Sequence, residues 1–293
     1  MSGAVIAVIG GSGLYAVEGL DDVQEHRIET PFGAPSDAIV EGVRNGTRML
    51  FLPRHGRGHR FNPSEINYRA NIWALRSLGA TDVVSVSAVG SMREDLPPGT
   101  LVLVDSFIDR TVSRPRTFFE GGVVAHVQFA EPTSARTRAA VQAAAARAGV
   151  ELRLGGAYVC IEGPQFSTRA ESTLYRTWPN VAVIGMTNLP EARLAREAEL
   201  AYCTMALVTD FDCWHTGHDD VSVEAVVAVM RANVAKAKAV IEALADAPPT
   251  APCPSHRALD FAIMTAPEAI PAEARARLAL FLDAVQARRQ GAL

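Results

Sequence analysis

At five places in this chain an apolar, strand-forming run stops on glycines, hydroxyls or charges. Residues 5–9 give way to Gly10-Gly11-Ser12-Gly13-Leu14, and 47–52 to Pro53-Arg54-His55-Gly56. Residues 83–88 close on Ser87-Ala88, 181–184 lead to Met186-Thr187, and 204–209 lead to Asp210-Phe211-Asp212-Cys213-Trp214. Glycine accepts positive φ and close approach, so successive N–H groups of the first loop can converge on an anion. A guanidinium fixed at a strand end adds a planar, permanently charged donor. With the hydroxyls of Ser12, Ser87 and Thr187, these residues make a cradle for a small oxyanion. Neither a P-loop lysine nor a magnesium-holding acidic cluster accompanies the glycines. The chemistry therefore points to free inorganic phosphate rather than to a nucleotide tail.

A competing reading is a dinucleotide-dependent oxidoreductase. Gly11-Ser12-Gly13-Leu14-Tyr15-Ala16 fits the relaxed G-x-G-x-x-G/A pattern, with Glu29 at about the spacing of a ribose-binding acid. That fingerprint needs a helix directly after the loop. Val17-Glu18-Gly19-Leu20-Asp21-Asp22 and then Pro31-Phe32-Gly33-Ala34-Pro35 read as turns instead.

The elements that must position these residues follow from periodicity and breakers. Strands are predicted at 5–9, 26–30, 36–41, 47–52, 83–88, 100–104, 156–161, 181–184 and 204–209. Val89-Gly90-Ser91 reads as a turn, and the chain after 104 as irregular. Helices are predicted at 65–78 with Ser64 as cap, and at 136–148, 169–177, 191–202, 223–245 and 272–288. Alternating strands and helices imply an α/β class: a single domain with a central mixed, mostly parallel sheet flanked by helices. Ala247-Pro248-Pro249-Thr250-Ala251-Pro252 is a clear linker. It divides a domain at 1–246 from 247–293, a C-terminal helical appendage expected to pack on the same domain. Ligands of such sheets bind beyond the carboxyl ends of the strands, where the five polar sets lie.

Composition narrows the function classes. Apolar residues make up 48% and charged residues 20% of the 293, with a formal net charge of −4. No clustered basic face suggests nucleic acid or an anionic membrane, and no apolar run reaches the ~20 residues of a membrane span. The first strand begins too soon after Met1 for a signal peptide. Cys160, Cys203, Cys213 and Cys253 form no C-x-x-C pair, and the seven histidines show no metal spacing. The expectation is a cytoplasmic enzyme with reduced thiols and no metal.

Six segments in order carry a resemblance. They are the Gly10–Leu14 loop, Arg54-His55-Gly56, Asn67-Tyr68-Arg69-Ala70-Asn71-Ile72-Trp73-Ala74-Leu75, Ile161-Glu162-Gly163-Pro164-Gln165-Phe166-Ser167, Met186-Thr187 and Thr209-Asp210-Phe211-Asp212-Cys213-Trp214. Over residues 4–245 the chain resembles the trimeric purine nucleoside phosphorylases, and most closely the 5′-methylthioadenosine phosphorylases. The resemblance implies a nucleoside phosphorylase-like fold and reversible phosphorolysis of methylthioadenosine to adenine and 5-methylthioribose 1-phosphate. It implies no metal or organic cofactor, inorganic phosphate as co-substrate, and a homotrimer or dimer of trimers. Ser12, Arg54, His55, Ser87, Ala88 and Thr187 would surround phosphate, and Met186 the ribose. Phe166, Ser167, Asp210 and Asp212 would surround the base, and Val223, Val226 and Val227 the methylthio group. His126 would reach a neighbouring subunit's site, and Ile263 or Met264 would cap an adjacent sugar pocket.

The chemistry agrees with these assignments. A leaving purine needs a proton or hydrogen bond at N7, which a carboxyl group with a burial-raised pKa can supply. Asp210 is the expected acid, supported by Asp212. A carboxylate accepts from a 6-amino group and repels a 6-oxo group, and relatives preferring 6-oxopurines carry asparagine at this position. Two further readings stay open: a methylthioinosine or general purine nucleoside phosphorylase, and a non-catalytic nucleoside-binding protein. Asn188 replaces a threonine common in relatives, with no consequence derivable from sequence.

Overall fold

The computed structural model describes residues 3–11, 14, 19–215 and 223–291, without the side chains of 223–226 and 228. In chain order its strands and helices are β1 (Val5–Gly10), β2 (Asp21–His26), β3 (Ile39–Arg44), β4 (Thr47–Pro53), α1 (Tyr68–Ser77), β5 (Asp82–Ser91), β6 (Leu101–Val104), β7 (Ser106–Arg110), α2 (Ala135–Arg147), β8 (Leu152–Leu154), β9 (Ala157–Ile161), α3 (Arg169–Arg176), β10 (Val181–Gly185), α4 (Asn188–Glu197), β11 (Ala201–Asp210), α5 (Val223–Asp246), α6 (Ala272–Arg277) and α7 (Ala279–Arg289).

The strands form one mixed sheet. β1 lies parallel to β4 on one side and to β5 on the other, and β5 runs parallel to β11. β7–β9, β9–β10 and β6–β8 are parallel, whereas β2–β3, β3–β4, β5–β10 and β6–β11 are antiparallel. Successive side chains of a strand point to opposite faces, so a fully apolar run needs cover on both. In β1, Val5, Ala7 and Ile9 join one core with Ile72 and Leu75 of α1 and Leu194 of α4. Ile6 and Val8 join a second core with Val141 of α2 and Val240 and Leu244 of α5. Each such buried Val, Ile or Leu stabilises the fold by about 1.5–3 kcal/mol.

Several expected boundaries move. The strand expected at 26–30 is β2 at Asp21–His26, and the strand expected at 36–41 is β3 at Ile39–Arg44. β2 is an exposed edge paired only to β3. The turn expected at 89–91 is strand, because β10 pairs with Gly90 and Ser91. Residues 105–122 contain β7, held by β9. Asn67 rather than Ser64 caps α1, accepting from the Ala70 N–H, while the Ser64 hydroxyl donates to Glu162 Oε1 at 2.6 Å. The helix expected at 191–202 begins at Asn188 and ends at Glu197, and residues 201–202 belong to β11. The last helix is two, α6 and α7, meeting at Leu278.

The C-terminal segment packs on the sheet domain. Phe281 lies 4.8 Å from Phe118 between ring centroids, and Arg288 donates to Glu199 Oε1 at 2.6 Å. The His126 N–H donates to the Ala262 carbonyl at 2.8 Å.

Candidate active site

The sheet forks at β5. Its first residues pair with β1 as far as Ser85, and on the same edge β10 takes over only at Gly90. Between those points Val86 to Val89 have no strand neighbour on that side, and they line a cavity of about 670 Å³. Ser87 and Ala88 were expected beyond a strand end. They sit within a continuous strand, exposed by the gap between its two neighbours.

Arg54 fills the closed end of the fork. It leaves β4 at the carboxyl end of β1, its N–H bonded to the Gly10 carbonyl at 2.9 Å. Its side chain is 2% exposed. Nε donates to Glu191 Oε2 at 2.7 Å and Nη1 to the Val86 carbonyl at 3.0 Å. Nη2 donates to the Ile9 carbonyl, Ser85 Oγ and Glu191 Oε1. A guanidinium has five N–H groups, so among the described residues one, on Nη1, is left for a ligand. Burial alone would weaken the cation, but the Glu191 carboxylate outweighs it and raises the Arg54 pKa. Glu191 also accepts from Ser85 Oγ at 2.7 Å and the Tyr202 hydroxyl at 2.9 Å. Asn188 joins this network, its Nδ2 donating to Ser85 Oγ at 2.9 Å and Tyr202 at 2.8 Å. Asn188 is thus a buried structural amide of α4.

The neighbouring His55 is neutral. Burial, with the Arg54 charge adding to it, lowers its pKa to about 4. Nδ1 lies 2.8 Å from the Phe61 carbonyl, which can only accept, so the ring proton sits on Nδ1 and Nε2 is an acceptor. His59 stacks on it at 4.2 Å between centroids. Across the cavity Thr187 precedes α4 without capping it, and its Oγ1 lies 3.2 Å from Ser87 Oγ. The Tyr158 hydroxyl is also 3.2 Å from Ser87 Oγ. A Cβ on Gly185 would lie 2.0 Å from that hydroxyl, so glycine makes its position possible.

The two carboxylates stand farther along β5. A Cβ on Gly90 would meet Asp210 Oδ1 at 2.9 Å and the Asp212 N and Cβ at 3.2 Å. Gly90 lies three residue steps beyond Ser87 along the strand, about 10 Å at 3.3 Å per residue. That distance suits a sugar between an anion and a base. Asp210 accepts from Thr209 Oγ1 at 2.7 Å and from the Asp212 N–H at 2.8 Å. Burial nevertheless raises its pKa, and burial with the neighbouring Asp210 charge raises that of Asp212. Trp214 anchors this turn, its Nε1 donating to the Ser91 carbonyl at 2.7 Å.

The loop opposite is held by Glu162 and Arg114. Glu162 accepts from Ser64, Ser113 and the Val112 N–H, each at 2.6 Å. Burial alone would raise its pKa, but these donors and Arg114 hold it at about 2. Buried Arg114 donates to the carbonyls of Glu162 at 2.5 Å and Met186 at 2.6 Å. It thereby fixes the loop bearing Phe166 and Ser167 against Met186.

Eleven of the expected residues line this one cavity: Arg54, His55, Ser87, Ala88, Phe166, Ser167, Met186, Thr187, Asp210, Asp212 and Val227. Ser12 and the side chains of Val223 and Val226 lie outside the described residues. His126 does not line this cavity within the chain, nor do Ile263 and Met264. His126 is exposed at a second cavity. Among the described residues no group of three His, Cys, Asp or Glu side chains could hold a metal.

The phosphorylase superfamily profile matches residues 5–246. The S-methyl-5′-thioadenosine phosphorylase of Geobacter sulfurreducens is 58% identical over 95% of this chain and 98% of its own length. That of Rhodospirillum rubrum is 56% identical over 90% and 91%. The chain belongs to this phosphorylase family. A methylthioadenosine phosphorylase crystal structure from an antarctic soil metagenomic library superposes with a TM-score of 0.88, at 47% identity over 96% of this chain and 99% of that one. An adenosine/methylthioadenosine phosphorylase variant from Schistosoma mansoni, in complex with methylthioadenosine, gives 0.76 at 36% identity over 83% and 90%.

Within this phosphorylase, sequence reasoning missed Glu191, Tyr158, Arg114 and Met230. Glu191 and Arg114 lie in segments without a motif, and their partners are 137 and 48–75 residues away. Met230 had a signal: it follows Val227 by three residues on a helix face, and both line the cavity.

Proposed function

We propose that this phosphorylase cleaves 5′-deoxy-5′-methylthioadenosine with inorganic phosphate, reversibly, to adenine and 5-methylthioribose 1-phosphate. The observation that carries the reading is the fork of β5, with an oxyanion cradle at Ser87 and Thr187 and buried carboxyls beside Gly90. Phosphate sits among Ser87, Thr187, Ala88, the remaining Arg54 N–H and His55 Nε2, which accepts from a protonated phosphate oxygen. One phosphate oxygen attacks the anomeric carbon while the bond to purine N9 breaks. Asp210, whose carboxyl pKa burial raises, supplies the proton or hydrogen bond to N7 as the electrons enter the base. Asp212 and Ser167 accept from and position the 6-amino group, and Phe166 covers the ring. Met186, Val227 and Met230 give the sugar and methylthio group an apolar wall. The reaction as read uses phosphate as co-substrate and no organic cofactor.

The assembly belongs to the same reading. Val124, Phe261 and Met264 are exposed apolar residues on segments joined by the Ala125–Ile263 bridge. Such a patch suits a subunit interface, and a homotrimer or dimer of trimers would bring His126 to a neighbour's site. Light scattering should give a multiple of three times the 31.3 kDa chain mass. The activity is tested with methylthioadenosine, methylthioinosine, adenosine and inosine, with and without phosphate, following free base by chromatography. Phosphate-dependent adenine release should be fastest from methylthioadenosine. Its absence would overturn the reading, and base release independent of phosphate would assign hydrolysis instead.

A further inference from the structure

The cavity proposed for phosphorolysis has an anion to admit and little interior charge with which to draw it. Arg54 is paired with Glu191, and His55 is neutral. Glu65, Asp210 and Asp212 add carboxyl groups to the lining, and the chain carries a formal net charge of −4. Beyond Arg54, the described lining holds one arginine, Arg60, and no lysine. Arg60 ends the loop that carries His55. In that loop the Gly56 N–H donates to the Pro53 carbonyl at 3.0 Å, the His59 N–H to Gly56 at 3.0 Å, and the Phe61 N–H to His55 at 3.1 Å. Gly56 takes φ 70°, and a Cβ there would lie 3.0 Å from the Ser36 carbonyl oxygen and 3.3 Å from Arg60 Nη2. The guanidinium rests over the Phe61 ring, 5.1 Å from its centroid. Its acid neighbour is Asp37, at 4.0 Å. Asp37 is already engaged: it accepts from the Arg57 N–H at 2.6 Å and the Ala38 N–H at 2.8 Å, and pairs with the Arg57 guanidinium at 3.7 Å. Among the described residues the Arg60 guanidinium donates no hydrogen bond, and its side chain is 60% exposed.

We propose that Arg60 is the phosphate-gathering residue of this site: from the rim it draws the dianion into the cavity, and it does not join the cradle that holds it. The inference rests on phosphate being the co-substrate, as proposed above. Burial separates the two tasks, since Ser87 and Thr187 are buried while Arg60 faces solvent. A cavity of 670 Å³, taken as a sphere, is about 11 Å across. A unit charge and a dianion that far apart in water raise the local anion concentration roughly two- to fourfold at low salt. Near 0.5 M salt the Debye length shrinks to about 4 Å and nearly all of this attraction is screened. A cation at the rim therefore speeds entry, while the bound phosphate keeps its charge for the sugar. Methylthioadenosine passes the same rim without net charge, so Arg60 gives it no such help.

The assembled, full-length protein and its Arg60→Gln, Arg60→Glu and Arg60→Lys variants are assayed for adenine release at pH 8. Phosphate is varied at saturating methylthioadenosine, and the nucleoside at saturating phosphate, with added potassium chloride from none to about 0.5 M. At low salt Arg60→Gln should lower kcat/KM for phosphate roughly two- to fourfold. Arg60→Glu, which doubles the change in charge, should lower it roughly four- to fifteenfold, and Arg60→Lys should keep the parental value. The differences should vanish at high salt, and kcat/KM for the neutral nucleoside should not move. A loop displaced by the substitution would instead change both substrates alike at every salt concentration. The proposal is overturned by an unchanged kcat/KM for phosphate in Arg60→Glu, as a neighbouring subunit covering the guanidinium would produce. An equal loss for the nucleoside, a loss independent of salt, or failure of Arg60→Lys to restore the parental value also overturns it. If the unaltered protein releases no adenine with phosphate, the phosphorolysis reading falls and the proposal with it; with that release intact, these outcomes bear on Arg60 alone.

Discussion

The Arg54–Glu191 pair can be separated into its structural and functional parts. Removing Glu191 as Glu191→Ala leaves the buried Arg54 guanidinium with no counter-charge. Breaking a buried pair in this way costs about 3–5 kcal/mol. The melting temperature should fall by about 6–20 °C, taking 2–4 °C per kcal/mol for a chain of this size. Replacing both partners by apolar residues of similar volume, Arg54→Met with Glu191→Leu, removes the charge problem. The pair's other partners, Ser85, Tyr202 and the carbonyls of Ile9 and Val86, then lose hydrogen bonds, each worth about 0.5–1.5 kcal/mol net. The double variant should therefore recover roughly half of the loss while showing no phosphate-dependent base release. Urea unfolding followed by circular dichroism measures the first effect, and the base-release assay the second. If Glu191→Ala stays within about 1 kcal/mol of the parent, or the double variant is no more stable than the single, the pair is not the buried linchpin described above.

Asp210→Asn should lower adenine release by roughly 10²–10⁴-fold, the usual worth of a general acid, and shift the ratio of rates toward methylthioinosine; an unchanged ratio removes Asp210 from base recognition. Gly90→Ala places a methyl group 2.9 Å from Asp210 Oδ1 and should cost about 10²-fold in kcat by displacing the acid, so a parental kcat would show that the carboxyl position does not matter. Glu197 is buried and accepts from Thr117 Oγ1 at 2.7 Å and the Phe118 N–H at 2.8 Å, and burial raises its pKa to about 7. The folded state thus holds this proton more tightly than the unfolded chain, and stability contributed below pH 4.5 is lost as pH rises to 7, by about 3 kcal/mol. Glu197→Gln should flatten that part of the urea-stability profile between pH 5 and 8, and an unaltered slope would assign it elsewhere.

The parts of the fold legible in sequence are those where local pattern and tertiary demand agree. The continuous apolar runs of β1 and β11 are buried on both faces, and no partner is needed to recognise them. β2 was misplaced because Asp21–His26 carries almost no apolar pattern and exists through pairing with β3. The end of α4 was misplaced because Glu199 occupies the left-handed position, at φ 58°, where glycine would have marked the stop. Its carboxylate accepts from Arg288 and the Leu259 N–H, contacts made 60 or more residues away. The site shows the same division. Arg54, Thr187 and Asp210 stand next to glycines or strand ends and could be named directly. Glu191 looks like an ordinary helix residue, and only the folded chain shows it beneath the guanidinium.

That hidden carboxylate changes how the proposed phosphate is held. Arg54 was expected as the charge that binds the anion. Glu191 cancels most of that charge, and four of the five guanidinium N–H groups are already occupied. His55 adds no charge either, since burial keeps it neutral. Phosphate beside Ser87 and Thr187 would meet oriented donors from hydroxyls and backbone, with exposed Arg60, 4.0 Å from Asp37, the further cation of the cavity lining. For phosphorolysis this is an advantage. The transition state carries positive charge on the sugar, and a unit charge pair 4 Å apart at an effective dielectric of 20 is worth roughly 4 kcal/mol. A phosphate neutralised by a free arginine would lose much of that attraction. Held by preorganised dipoles, it keeps its charge for the sugar, and binding energy is directed to the transition state rather than to the ground state.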